Sequence, residues 1–342
     1  MPSGRKMLKP TIALVGPWPK PWGGISVHLF RLLPRLLEEG FEAFLYDDTG
    51  LHSGPNIFPL KGKWVNRFAL RARERIVHYH SHSWGARMRL SLMTLFGKKV
   101  IFTVHSLRNP PRIPLRKRPE FTHMLQKAHF IAVNEEIAEK LSAAGARNVA
   151  IINPYISPPD WGKPHLDVEV FASTHRPLIC LSALLFKSWN NKDLYGLFSA
   201  LEALSLIRRE MPEAGMIIYL SQIGEENLFR SFKGRVAELG LERDVLIRLD
   251  ADEPFWTCLP LAQLFLRPTF SDSFGISLAE ALELGVPVVA SDAVPRPGGV
   301  LLFRAGDPAD MALAIQKALS LKPERFSLDS FPALLDFYKS IL

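Results

Sequence analysis

The sequence predicts an α/β chain of two domains, each a parallel sheet covered by helices, and three observations predict it. The largely apolar run Ala262 to Arg267 and the uniformly apolar Val286 to Ala290 suit strands buried on both faces. Between such runs, apolar residues recur at helical spacing. At 342 residues with 47% hydrophobic content, the chain is long enough for about two cores.

Taken in order, Ile12 to Gly16 is the first expected strand, followed by a Pro/Trp/Gly loop, a helix over Ile25 to Glu39 and a strand over Glu42 to Tyr46. That is the opening of a βαβ unit. Further strands are expected at Ile76 to His80, Lys99 to His105, His129 to Val133 and Val149 to Asn153, with helices near 61–74, 85–96, 119–127 and 135–144. Pro154 to Pro177 is rich in proline, has no clear period and reads as a linker. The second block places strands near Leu178 to Ala183, Met216 to Ser221, Val245 to Leu249, Leu264 to Arg267, Val286 to Ala290 and Val300 to Phe303, and a last helix at about 325–341. The expected domains are therefore 1–158 and 177–324, joined by 159–176 and followed by a helix over 325–342.

Charge divides along the same boundary. Residues 1–158 hold 24 Lys/Arg against 10 Asp/Glu, and the remainder 18 against 24, so the two halves are expected to meet different partners. Cys180 and Cys258 are the only cysteines, which points to a reducing compartment without a disulfide framework. The segment MPSGRKMLKPTIALVG lacks the apolar core of a signal peptide, and no run approaches about 18 apolar residues. A cytoplasmic, soluble protein is expected.

Residues 267–292 carry the most chemistry. Pro268 and Thr269 stop a buried strand, Ser271-Asp272-Ser273 turns, and apolar residues at helical spacing follow from Gly275. Phe274, Gly275 and Ile276 then sit where unpaired helix amides attract an anion, and Gly275 lets a phosphate approach the backbone. Glu280, about one and a half turns on, can accept two hydrogen bonds from a vicinal diol such as a ribose. Gly285 ends the helix.

This segment resembles that of the retaining, nucleotide-sugar-dependent glycosyltransferases of family 4. Their pattern of Glu-Gly-Phe-Gly, four residues, Glu-Ala, then Gly-x-Pro-Val-Val-Ala-Ser stands here as Asp272-Ser273-Phe274-Gly275, Ile276 to Ala279, Glu280-Ala281 and Gly285 to Ser291. The first acid is Asp, shorter by one carbon-carbon bond, roughly 1.5 Å. The resemblance implies the GT-B fold: two Rossmann-like domains with parallel sheets facing a central cleft, and a C-terminal helix crossing back to the N-terminal domain. It also implies sugar transfer with retention, by front-face attack of an acceptor hydroxyl as the nucleoside diphosphate of a UDP- or GDP-sugar departs. No metal or other cofactor is implied. Asp272 would hold donor-sugar hydroxyls, Glu280 the ribose, and the amides at 274–276 the growing charge of the leaving group.

Gly23-Gly24 in the first βα loop matches the family's glycine loop near donor phosphates and acceptor, with a plain turn as the bland alternative. It does not form a dinucleotide fingerprint with Gly16, although Asp47 and Asp48 sit where an NAD-binding acid would lie. His105 follows Phe102-Thr103-Val104 and resembles the family histidine near the reacting sugar; its alternative is a satisfied structural histidine. His78, His80 and His82 alternate, but a straight strand spaces them too widely for one ion, so no metal is expected. His80 or His82 remains a cleft-lining candidate.

The departure from the family lies at the diphosphate. Ala183 stands where an Arg is usual, which leaves Lys187, Lys192 and Arg267 as candidate cations or as ordinary surface charges. The tracts Asp193-Leu194-Tyr195-Gly196, Arg267-Pro268-Thr269 and Val294-Pro295-Arg296-Pro297 resemble a subgroup of bacterial surface-polysaccharide synthesis. Lys61, Lys63, Arg67, Arg71, Arg73, Arg75, Arg87 and Arg89, interleaved with apolar residues, read equally as a surface for anionic lipid headgroups or as solvated helix faces over a core stripe. The expected partners are a nucleotide-sugar donor and a glycan or lipid-linked acceptor, with peripheral contact at the inner face of the membrane and no nucleic acid, for which no recognition motif accompanies the charge. A catalytically degraded GT-B accessory subunit, motivated by Ala183 and Asp272, and a GT-B epimerase or hydrolase are the alternatives.

Overall fold

The structure is a computed structural model that describes residues 10–107, 116–322 and 324–342. Most of the N-terminal segment read above for a signal peptide, residues 1–9, lies outside the described residues. The chain divides into two compact units: Met1–Pro19, Gly24–Ile156 and Asp329–Leu342 form one, Lys20–Gly23 and Ser157–Leu328 the other. Among the described residues, no helix is long and apolar enough to cross a membrane.

The first unit is a seven-stranded sheet of β1 (Thr11–Gly16), β2 (Glu42–Asp47), β3 (Ile57–Pro59), β4 (Ile76–Tyr79), β5 (Lys99–Val104), β6 (His129–Ala132) and β7 (Asn148–Ile151). The order is β3-β2-β1-β4-β5-β6-β7, and every pair is parallel. Side chains alternate between two cores, Ile12 and Leu14 facing one and Ala13 and Val15 the other. Both faces are covered, which is why the strands read as continuous apolar runs. The helix Gly24–Glu38 and the terminal helix Phe331–Ile341 share the core of Ile12 and Leu14. The terminal helix starts later than 325, with Phe331 and Pro332 in its first turn.

The second unit is a six-stranded parallel sheet ordered β12-β11-β8-β13-β14-β15, from β8 (Leu178–Ala183), β11 (Gly215–Leu220), β12 (Val245–Leu249), β13 (Leu264–Arg267), β14 (Val288–Ser291) and β15 (Val300–Phe303). A small antiparallel ribbon, β9 (Ser188–Trp189) with β10 (Lys192–Asp193), interrupts the chain after β8. The stretch read as a periodless linker contains the helix Leu166–Thr174. Its prolines all lie outside that helix, and the His165 ring accepts from the Asp167 amide while Asp167 and Glu169 fill the first turn.

Each sheet has one place where chain order reverses, between β1 and β4 in the first and between β8 and β13 in the second. Ligands of open α/β sheets collect beyond the carboxyl ends of strands at such points. The loops in question follow β1, β4, β8 and β13.

Candidate functional site

At the reversal in the second unit, the carboxyl end of β13 delivers Arg267. Its Nε donates to Asp272 Oδ2 at 2.9 Å and its Nη1 to the Ser182 carbonyl at 3.1 Å. The guanidinium therefore reaches the end of β8 beside Ala183, the position at which the sequence lacks a cation. A second guanidinium meets the same carboxylate oxygen: Arg296 Nη1 donates to Asp272 Oδ2 at 3.1 Å and Nη2 to Thr269 Oγ1 at 3.2 Å. Asp272 Oδ1 accepts from the Ser273 amide at 3.0 Å. The Arg296 side chain is 1% exposed and that of Asp272 10%. Burial acts to raise the Asp272 carboxyl, but the charges of Arg267 and Arg296 overcome it and hold the group far below the carboxylate range. Burial also acts to lower both arginines; Asp272 outweighs it at Arg267 and does not at Arg296, which Arg267 also repels.

Gly275 leads from this cluster into the helix Ile276–Leu284 with φ 86° and ψ 76°, a conformation that suits glycine. An added Cβ would lie 3.2 Å from Asp272 Oδ2. Among the described residues no side chain caps this helix, and its first bonds run from the Leu278 and Ala279 amides to the Gly275 carbonyl. The amides of Phe274, Gly275 and Ile276 belong to its open end. Glu280 is buried in the same helix, and its charge helps to keep Arg267 protonated.

The tract Asp193 to Gly196 supports the turn from behind. Asp193 accepts from the Tyr195 amide at 3.1 Å and from the Leu197 amide, the Leu194 carbonyl accepts from the Phe270 amide at 2.9 Å, and Tyr195 lies 5.8 Å from the Arg267 guanidinium. Gly196 has φ 68°, and an added Cβ would lie 2.2 Å from the Pro268 carbonyl oxygen. Lys192 is exposed, its Nζ 4.8 Å over the Phe270 ring, at the edge of this turn. Lys187, also exposed, lies beside Glu225 instead.

In the first unit the reversal point gathers histidines. His28 comes from the helix Gly24–Glu38, His78 from β4, His80 from just beyond it, and His105 from the end of β5; all four are buried. Their ring centroids lie 4.0 Å apart for His78 and His80, 5.1 Å for His28 and His80, and 5.6 Å for His80 and His105. Desolvation holds every one of them neutral, His28 at about 4 and the others well below the usual imidazole value. His78 is satisfied at both nitrogens, by Tyr338 Oη at 2.6 Å and Thr103 Oγ1 at 2.7 Å.

Gly24 opens the helix beside these rings. Its φ is not positive, and a Cβ there would meet nothing within 4 Å, so neither strain nor crowding among the described residues demands glycine. Gly23 belongs to the second unit with Lys20, which pairs with Asp252 at 2.7 Å, and Trp22, whose carbonyl accepts from Ser221 Oγ at 2.6 Å. Asp47 accepts from the amides of Thr49, Leu51 and His52 in its own loop and from that of Trp18 in the loop after β1.

Sequence reading missed Arg296 and His28. The Pro-Arg-Pro setting of Arg296 was the available signal, since a basic residue held between prolines has little freedom to leave its partner. Within the basic tract, Arg87 is a correction. It is buried, donates to the Ser81 carbonyl at 3.0 Å and stacks 4.6 Å over Trp84, because it fills space behind β4 and β5 that the helical pattern of its neighbours does not disclose. Lys61, Lys63, Arg67, Arg71, Arg73, Arg75 and Arg89 are exposed.

Residues 182–320 match the model of the family described as Glycosyl transferases group 1. Among solved structures, HepE from Anabaena in complex with UDP-glucose is similar over 97% of this chain and 100% of its own, at 14% identity and a TM-score of 0.72. Sucrose-phosphate synthase from Thermosynechococcus elongatus has the same TM-score at 15% identity, over 97% and 99%. A protein titled as a UDP-N-acetylglucosamine 2-epimerase from Listeria monocytogenes follows at 15% identity and 0.65, over 97% of each chain. No curated protein matches by sequence. The chain thus has the GT-B fold, and its residues 182–320 carry the group 1 glycosyl transferase pattern.

Proposed function

We propose that the protein is a glycosyltransferase that moves a sugar from a nucleotide-sugar donor to a glycan or lipid-linked acceptor with retention of configuration. The observation that carries this reading is the pair of guanidinium groups on Asp272 at the glycine-led start of a helix, with Glu280 buried in the same helix. As the bond to the anomeric carbon breaks, negative charge grows on the departing diphosphate. Arg267 and the helix amides are preorganised to meet it, and Arg296, buried on Asp272, holds the cluster in place. Arg267 replaces from β13 the cation missing at Ala183, which weighs against a degraded site. Glu280 receives the ribose diol, and Asp272, fixed on one oxygen by two arginines, offers the other to a sugar hydroxyl. No metal or other cofactor enters the scheme, because Arg267 and the amides perform the neutralisation.

UDP is the favoured nucleotide, since the Anabaena neighbour is titled as a complex with UDP and with UDP-glucose. Retention follows from front-face attack by the acceptor hydroxyl. The exposed basic side chains of the first unit, with Leu70 86% and Phe96 80% exposed, support peripheral contact with an anionic membrane face and hence a role in surface polysaccharide or glycolipid synthesis. Nucleic acid has no part in the reading.

Incubation with UDP- and GDP-sugars and candidate acceptors tests the proposal. Glu280→Ala is expected to lower transfer by about 10- to 100-fold through loss of the diol contact, and undiminished transfer would remove this donor site. The epimerase-titled neighbour motivates a second reading. Epimerised or hydrolysed sugar as the sole product with acceptor present would favour it.

A further inference from the structure

The histidines of the first unit carry a second level of organisation. His28 Nδ1 lies 2.8 Å from the Pro154 carbonyl, which can only accept, so His28 is protonated at Nδ1 and its Nε2 is a bare lone pair. His80 Nδ1 lies 3.3 Å from His105 Nε2, and a single proton joins two neutral rings. Two arrangements satisfy that bond. If His80 donates, its own Nε2 is bare as well, and neither His28 nor His80 has a proton to offer the other. If His105 donates, His80 carries its proton on Nε2.

Both His80 Nε2 and His28 Nε2 are buried and find no partner among the described residues. In the second arrangement one is a donor and the other an acceptor, on rings 5.1 Å apart. A small tilt then lets His80 donate directly to His28, whereas in the first arrangement neither ring has a proton to give and both depend on a water. We infer that His80 and His28 form a positioning chain that holds His105 in its Nε2–H form, so that a bare His105 Nδ1 accepts a hydrogen bond from a substrate hydroxyl. This rests on the sugar-transfer reading for the identity of the hydroxyl, while the tautomer itself does not. Proton order runs from His105 to His80 to His28 and ends on the Pro154 carbonyl. His105 is 8% exposed, the most accessible of the four rings, and its Nδ1 makes no hydrogen bond among the described residues. His78 stands outside the chain, spent on Tyr338 and Thr103.

Long-range proton–nitrogen NMR on the full chain labelled with 15N-histidine tests this directly, with His105 assigned from His105→Gln. The expected spectrum gives His105 a pyridine-like Nδ1 and a pyrrole-like Nε2; the reverse overturns the inference whether or not sugar transfer is observed. A pair of variants supplies the kinetic arm. His80→Asn places an amide oxygen near the lost Nδ1 and is expected to keep kcat within about twofold, whereas His80→Leu loses about tenfold in kcat with donor KM unchanged. Equal losses in both variants would reduce His80 to packing and overturn its positioning role.

Discussion

The two polar centres answer burial in opposite ways. In the second unit, Arg267, Asp272 and Arg296 stay charged because each charge meets its opposite at hydrogen-bonding distance. In the first, His28, His78, His80 and His105 have no carboxylate partner at their ring nitrogens among the described residues, and burial strips their charge. Where a carboxylate is present, desolvation is offset; where only carbonyls, hydroxyls and other rings are present, neutral donors and acceptors result. One centre keeps paired charges, the other neutral rings.

The largest blow to this contrast comes from Asp272→Ala, which leaves two buried guanidinium groups without the carboxylate that joins them. A loss of about 3–5 kcal/mol in urea denaturation is expected, together with loss of turnover. Unchanged stability would mean that the cluster is solvated.

Acid is the next lever, and its sign differs between centres. A histidine held below its unfolded value of 6.5 costs stability as pH falls through 6.5, because the unfolded chain binds the proton first. For His28, at about 4 when folded, the loss reaches about 3 kcal/mol by pH 4. Asp272, held below its unfolded 3.8, loses its contribution only under that pH. Asp48 and Asp193, raised by burial, offset part of the fall in the lower half of the window. Denaturation stepped from pH 7 to 4 should therefore show a decline that His28→Asn flattens and Asp272→Asn does not.

A smaller effect is expected from Gly196→Ala, which forces a left-handed side chain against the Pro268 carbonyl. A cost of about 1–2 kcal/mol is expected from the backbone alone, with weakened UDP binding because Tyr195 and Arg267 shift together. The least is expected from the lysines. Lys192→Ala removes a cation above Phe270 and should cost about 0.5–1 kcal/mol, whereas Lys187→Ala should fall within about 0.5 kcal/mol. A larger effect at Lys187 than at Lys192 on UDP affinity would reverse their assignment to the site.

Much of the fold was legible because buried parallel strands write themselves as apolar runs. Leu178 to Ala183, Val245 to Leu249 and Val300 to Phe303 coincide with their observed strands. Short elements with mixed patterns were not: β3, at Ile57–Pro59, pairs on one side only and needs no apolar run. The helix Leu166–Thr174 was hidden by the prolines around it. At the site, Gly275 and Glu280 were visible from spacing along one helix. Arg296 was not, since it meets Asp272 across 24 residues through a loop with no period. His28 was equally silent, because one histidine in an apolar helix does not announce which rings three other segments bring to it.

The terminal helix Phe331–Ile341 sets an order on the making of the protein. Its Tyr338 is fully buried in the first unit and hydrogen-bonded to His78, so that unit lacks a core residue until this helix is translated. Residues 157–328 leave the ribosome earlier and contain a complete sheet of their own. The first unit can therefore complete its core, and give His78 its Tyr338 partner, only after residues 157–328 have been made.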